Sequence, residues 1–232
     1  MRILAMDTAT SGCSVALWQD GGIPARRAAA MARGQSEALL PMIAEVLGEA
    51  QITATDCDLI AVTRGPGAFT GLRIGLATAR AMALAAGLPC LGVDTTDVVA
   101  RGVAAEAITG ELLVVLDTKR ADFYAQTFSR HHKALCAPRA VPQDGLVELV
   151  GRQAEGVPLL VVGDATPAAL EILAAAGIKA AAADAPALPD AARLAEIAAE
   201  RWQPGMVLTP PLPLYLRPPD AKIPRDGGRL RP

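Results

Sequence analysis

Apolar residues in the first third of the chain come in short runs and alternations, and then in a helical rhythm. Residues 2–6 are a short apolar run, residues 13–18 alternate, and residues 24–31 follow the Gly21-Gly22 turn, which predicts three strands. The period changes over 35–50. There Leu39, Leu40, Ile43, Val46 and Leu47 share one helical face and Glu37, Glu45 and Glu49 the other, with Ser36 placed to cap the start. A strand over 59–63, a helix over about 70–86 and a strand over 89–93 follow. Asp94-Thr95-Thr96 then reads as the cap of a helix reaching about residue 105.

The pattern begins again at residue 112. An apolar strand (112–117) ends in Asp117-Thr118, as the first strand ends in Asp7-Thr8. Strands over 123–129 and 133–141, a helix over 143–154, a strand over 159–163 and a helix over 166–176 complete the repeat. The order strand-strand-strand-helix-strand-helix thus occurs twice, which predicts an internally duplicated α/β fold. A last amphipathic helix (190–202) leads to Pro210-Pro211-Leu212-Pro213-Leu214-Tyr215-Leu216-Arg217. The Pro-, Gly- and Arg-rich tail beyond lacks apolar periodicity and is expected to be loosely ordered.

The densest signal is residues 64–75, Arg-Gly-Pro-Gly-Ala-Phe-Thr-Gly-Leu-Arg-Ile-Gly, at a strand-to-helix turn. A Gly-rich turn before a helix can cradle phosphate. Here Pro66 removes a donor, no Lys-Ser or Lys-Thr pair follows, and the spacing is not that of a dinucleotide turn, which favours a tight packing turn. Behind it Gly71, Gly75, Ala79, Ala83 and Gly87 recur every four residues, so one stripe of the helix is nearly bare. Such a stripe suits either a core helix packed close or a helix docking on a second helix pair.

Bulk properties mainly exclude. The chain has 232 residues, ample for a sizeable core, and its 52% hydrophobic content comes mainly from alanine, with no uninterrupted run long enough to span a bilayer. Asp7 comes too early for a secretory signal, so the cytoplasm is expected. A net charge of −2 gives no general pull toward nucleic acid or membrane. Cys13, Cys57, Cys90 and Cys136 are scattered and read as small buried residues. His131 and His132 are the only histidines; as neighbours on a strand they would face opposite sides, which argues against hydrolase triads and histidine metal sites.

The paired units with Asp-Thr after the first strand resemble the actin-like ATPase superfamily. More narrowly, the chain resembles the TsaB (YeaZ) family, the dimerisation subunit of the bacterial tRNA threonylcarbamoyladenosine machinery. The matching segments are Ile3 through Thr10, Leu39-Leu40-Pro41, Gly65 through Gly75, Leu116-Asp117-Thr118-Lys119-Arg120, Gly163-Asp164 and Pro213-Leu214-Tyr215-Leu216-Arg217. Many members carry a histidine ahead of the Leu-Leu-Pro segment, where this chain has Gln35-Ser36-Glu37.

The resemblance implies two tandem actin-like (RNase H-like) β-β-β-α-β-α subdomains with mixed sheets, over 1–106 and 107–216, with a basic tail at 217–232. It implies a non-catalytic scaffold for the paralogue TsaD, which binds the metal and transfers threonylcarbamoyl to N6 of adenosine 37 in tRNAs decoding codons that begin with adenine. A TsaE-type ATPase completes the cycle, self-association is open, and tRNA is reached only through the complex. No catalytic, cofactor or metal residues are expected, although a nucleotide or Mg²⁺ at the joint with the partner stays open. Ala9 in place of a glycine after Asp7, Asp164 after Gly163 and Lys119-Arg120 after the second Asp-Thr agree with a discarded ATPase reaction.

The expected partner-binding face lies on the helices at 36–49 and 70–86. It comprises Leu39, Leu40, Ile43, Gly71, Leu72, Arg73, Gly75, Leu76, Ala79, Arg80 and Ala83, with the small stripe at closest approach and Arg73 and Arg80 at the rim. The competing reading is an ATP-dependent enzyme using Asp7 and Asp117 to orient Mg²⁺ and phosphates, or a glycoprotease-like peptidase.

Overall fold

A computed structural model describes residues 1–151 and 157–217. The first half runs β1 (Arg2–Asp7), β2 (Gly12–Gln19), β3 (Gly22–Ala30), α1 (Gln35–Glu49), β4 (Leu59–Gly65), α2 (Phe69–Ala86), β5 (Cys90–Asp94) and α3 (Thr95–Arg101). The second runs β6 (Glu111–Asp117), β7 (Asp122–Ser129), β8 (Arg139–Pro142), α4 (Gln143–Val150), β9 (Leu159–Val162), α5 (Thr166–Ala175), β10 (Ala180–Ala182) and α6 (Ala191–Arg201). Each half therefore repeats strand-strand-strand-helix-strand-helix-strand-helix. The two five-stranded sheets have matching orders, β3-β2-β1-β4-β5 and β8-β7-β6-β9-β10. In both, a hairpin-joined antiparallel trio meets strands added in parallel, β4 and β5 in one and β9 and β10 in the other.

β1 shows why the sheet is covered on both faces. Leu4 and Met6 point into a cluster with α1 and α2, while Ile3 and Ala5 point into one with α6 and Val98 of α3. A strand alternates faces residue by residue, so a continuous apolar run demands cover on both sides. β6 repeats the device: Leu113 and Val115 meet α4 and α5, and Leu112, Val114 and Leu116 meet Val99 and Ala100 of α3. Helix α6, late in the chain, thus packs on the first sheet, not the second. Asp190 caps it by accepting from the Ala192 N–H, and Ser14 Oγ of β2 accepts from the Ala191 N–H at 3.0 Å.

Several expectations shift. Ser36 does not cap α1: Gly34 holds the cap position with φ 98°, and the Ser36 hydroxyl donates to Glu37. α3 stops at Arg101, short of 105, because Val103 turns into the core between the lobes. β8 is only four residues long, since residues 130–132 turn and His132 takes φ 55°. The two histidines therefore lie in a turn and not on a strand; His132 Nε2 sits 3.0 Å from the Val103 carbonyl. β10 was not expected, because three alanines carry no strand signal; it forms on the parallel edge offered by β9. α4 ends at Val150 with Gly151 in a turn, short of the expected 154; residues 152–154 lie outside the described residues, as do residues 218–232 of the tail. Among the described residues no helix is long and apolar enough to cross a membrane.

Candidate interlobe cleft and docking face

The ends of β1 and β6 meet at a cleft of about 400 Å³ between the two halves. It is floored by Ala9, Thr10 and Ser11 from one strand-end turn and by Asp117, Thr118 and Lys119 from the other, with the starts of α1 and α2 on one wall. In an actin-like ATPase these turns present backbone N–H groups to phosphate. Here the Ala9 and Lys119 N–H groups turn back onto Asp7 and Asp117, and α2 packs against the first turn. The Ala68 N–H donates to the Ala9 carbonyl at 2.7 Å, and Gly67 lies so close that any Cβ there would collide with the same carbonyl. Thr8 Oγ1 donates to the Gly71 carbonyl at 2.7 Å, and a Cβ on Gly71 would collide with the Thr8 carbonyl oxygen. The glycines of the 64–75 run are thus required by close backbone packing, as the tight-turn reading expects.

The paired carboxylates are engaged in the same inward way. Asp7 is buried, and its Oδ1 accepts from Thr63 Oγ1 at 2.6 Å and from the Ala9 N–H at 3.1 Å, while Oδ2 has no partner among the described residues. Desolvation pushes its carboxyl up to about 7, against the lowering effect of those two hydrogen bonds. Asp117 accepts from the Lys119 N–H at 2.6 Å and pairs with Lys119 Nζ at 2.8 Å. Burial opposes its ionisation, but these contacts prevail and hold its carboxyl below the ordinary range. Asp164 Oδ1 accepts from the Asp117 N–H at 2.7 Å, and burial raises its carboxyl. Gly163 has φ 120° and abuts the Val115 carbonyl, so a side chain is excluded there twice over. Among the described residues no three His, Cys, Asp or Glu side chains converge as a metal cage.

The expected partner-binding residues divide sharply. Leu39, Ile43, Gly71, Leu72, Gly75, Leu76, Ala79 and Ala83 are all buried in the chain's own first lobe. The stripe at closest approach therefore faces inward, which corrects the expectation that it meets a partner. A Cβ on Gly75 would stand 2.6 Å from Thr8 Oγ1 and 3.5 Å from Val62 Cγ2, so the small residues let α2 settle onto β1 and β4. Leu40, Arg73 and Arg80 are exposed.

The opposite side of α2 carries features that the sequence reading missed. Ala77, Ala81 and Ala85, again four apart, are exposed, and Leu84 beside them is 85% exposed. On α1, Leu40 is 58% exposed, next to exposed Pro41, Ala44 and Gly48. The two helices pack against each other, and these exposed positions carry no charge of their own. Counting both four-residue registers of α2, not only the one with glycines, would have found it.

The segment after α6 straps the two lobes together. Pro211 covers Gly92, the Leu214 N–H donates to the Arg64 carbonyl at 2.7 Å, and Tyr215 lies on Phe69 with ring centroids 5.2 Å apart. Two residues on, Arg217 reaches the second lobe, where it donates to Thr118 Oγ1, pairs with Asp122 and lies over the Tyr124 ring.

Known proteins resemble this chain in sequence and in fold. The family model described as TsaD, tRNA N6-adenosine threonylcarbamoyltransferase, matches residues 19–224. An uncharacterized protein of Mycobacterium tuberculosis is 33% identical over 222 residues, covering 95% of this chain and 93% of that one. The Escherichia coli tRNA threonylcarbamoyladenosine biosynthesis protein TsaB is 38% identical over 135 residues, 58% of each chain. A solved Pseudomonas aeruginosa structure, titled as an uncharacterized protein similar to the peptidase YeaZ, superposes with a TM-score of 0.78. It is 26% identical and covers 93% of this chain and 99% of that one. The chain belongs to the TsaB (YeaZ) family. The α/β architecture of two mixed five-stranded sheets is that of the YeaZ fold. In this TsaB-family chain, the Gly65–Gly75 signature forms the contact between α2 and the β1 turn, and the Leu214–Arg217 signature forms the strap across the cleft.

Proposed function

We propose that the chain is a non-catalytic subunit of the assembly that forms N6-threonylcarbamoyladenosine at position 37 of tRNAs decoding codons that begin with adenine. A TsaD-type paralogue carries the transfer chemistry and docks on the outward face of α1 and α2, and a TsaE-type ATPase serves the assembly. The name of the Escherichia coli relative supports the pathway. The observation that carries the accessory role is the fate of the two strand-end turns. The Ala9, Asp117 and Lys119 N–H groups donate to Asp7, Asp164 and Asp117, so carboxylates hold donors that a nucleotide phosphate would need. The docking face is supported by the uncharged surface of Leu40, Ala44, Ala77, Ala81, Leu84 and Ala85, where bare helical backbone admits a second helix pair at close range. Arg73 and Arg80 border it as the polar rim.

Co-expression with a TsaD-type partner, followed by size exclusion, tests the reading. The wild type should co-elute, and Ala81→Leu and Leu84→Glu should not, while both variants melt as the wild type does. Unimpaired co-elution of both variants would place the interface elsewhere. Appreciable ATP turnover or tRNA modification by the purified chain alone would end the non-catalytic assignment.

A further inference from the structure

On the flank of α2 next to the strap, three planar groups stack. The Arg73 guanidinium lies 3.7 Å from the centroid of Phe69, Phe69 lies on Tyr215, and Arg73 Nε donates to the Tyr215 hydroxyl at 3.2 Å. Phe69 is nonetheless 52% exposed and Tyr215 43% exposed. Arg80 lies seven residues beyond Arg73, hence on the same flank, about 10 Å along the axis. Among the described residues no carboxylate pairs with Arg73 or Arg80. We propose that this column, with Arg80, is a stacking platform for an unpaired RNA base and its adjoining phosphates. The proposal rests on the functional reading above, since an assembly that modifies tRNA brings an RNA loop to this protein.

Three observations favour RNA over a protein partner. Phe69 and Tyr215 are about half exposed and are held in place by the Arg73 guanidinium, and an exposed aromatic side chain offers a group on which any base can stack whatever its sequence. The charge at Arg73 and Arg80 is cationic and, among the described residues, paired with no carboxylate, which suits phosphate, whereas exposed Ala81 and Ala85, further round α2, and Leu40 and Ala44 of α1 are uncharged. The sequence after Arg217 also carries four cations (Lys222, Arg225, Arg229 and Arg231) against two acids (Asp220 and Asp226). That local balance runs against the overall net charge of −2, so attraction for RNA has to come from local groups of cations.

The test is fluorescence anisotropy of the full chain, alone and in complex with its TsaD-type partner. The probes are a labelled RNA hairpin with a seven-nucleotide loop and a blunt RNA duplex of equal length. The hairpin should bind more tightly than the duplex, with affinity falling as salt rises. Phe69→Ala and Tyr215→Ala should each weaken hairpin binding roughly tenfold or more. Tyr215→Phe, which keeps the ring, should stay within about twofold of the wild type. Arg73→Gln and Arg80→Gln should each reduce the salt slope by about 0.7. Equal affinity for hairpin and duplex, wild-type binding by both alanine variants, or loss of all binding on deleting residues 218–232 with the column intact would overturn the proposal. So would loss of partner co-elution in Phe69→Ala and Tyr215→Ala, since the column would then be a protein anchor. Co-elution of the wild type is read separately, so a failed platform and a failed functional reading are distinguishable.

Discussion

Replacing Gly71 with alanine adds one methyl group to the point where α2 touches the end of β1. That methyl would collide with the Thr8 carbonyl oxygen, so α2 must lift or the turn must move. Lifting α2 also breaks the 2.7 Å hydrogen bond from Thr8 Oγ1 to the Gly71 carbonyl. Overpacking costs about 1–3 kcal/mol, and a buried hydroxyl left without its acceptor costs about 1–3 kcal/mol more. The intrinsic helical gain of alanine over glycine returns only about 1 kcal/mol. The net destabilisation is about 3 kcal/mol, which at roughly 2–3 kcal/mol per molar urea lowers the unfolding midpoint by about 1 M. Ala77→Leu, on the outward side of the same helix, should alter stability by no more than about 0.5 kcal/mol while blocking the partner. Urea unfolding of the isolated chain, followed by far-ultraviolet circular dichroism, reads both variants. A Gly71→Ala midpoint within about 0.2 M of the wild type would refute the inward packing of the glycine stripe.

Other outcomes follow from buried polar groups and surface pairs. Asp7 has a folded-state carboxyl near 7 against an unfolded value of 3.8, so the folded chain holds the proton more tightly. The stabilisation from that proton is full below about pH 4 and is lost as pH rises to about 7, by about 4 kcal/mol in all. Asp7→Asn, which can still accept from Thr63 and Ala9, should therefore gain on the wild type across that window and hold a constant advantage above it; a pH-independent difference in urea midpoints would contradict the burial argument. Thr96→Val leaves Gln126 Oε1 of the second lobe without its buried donor and should cost about 1–3 kcal/mol in the same assay. Glu200→Gln breaks the two-pronged pair with Arg101, yet Glu200 is largely exposed, so the melting temperature should shift by less than about 2 °C.

The duplication was legible because each half opens on an apolar strand ending in Asp-Thr and then changes period at a predictable distance. β10 was not, since Ala180, Ala181 and Ala182 adopt strand geometry only because β9 supplies an edge. The site shows the same division. Spacing alone revealed that α2 has a bare stripe, but Gly71 and Gly75 look alike whether they face a partner or their own sheet. The difference lies in Thr8, 63 residues earlier in sequence, whose carbonyl and hydroxyl occupy the space. The strap's role was not legible, because Tyr215 and Arg217 acquire meaning only where α2 and β7 come within reach.

The return of α6 to the first sheet bears on how the molecule is made. Ile3, Ala5 and Ala16 share their face with Val98 of α3 but are otherwise covered by Leu194, Ala195 and Ile197, so the first lobe keeps part of an oily face bare until α6 has been synthesised. A fragment ending at residue 106 should accordingly aggregate or bind hydrophobic dyes. The earliest-born half of this protein is the last to be finished.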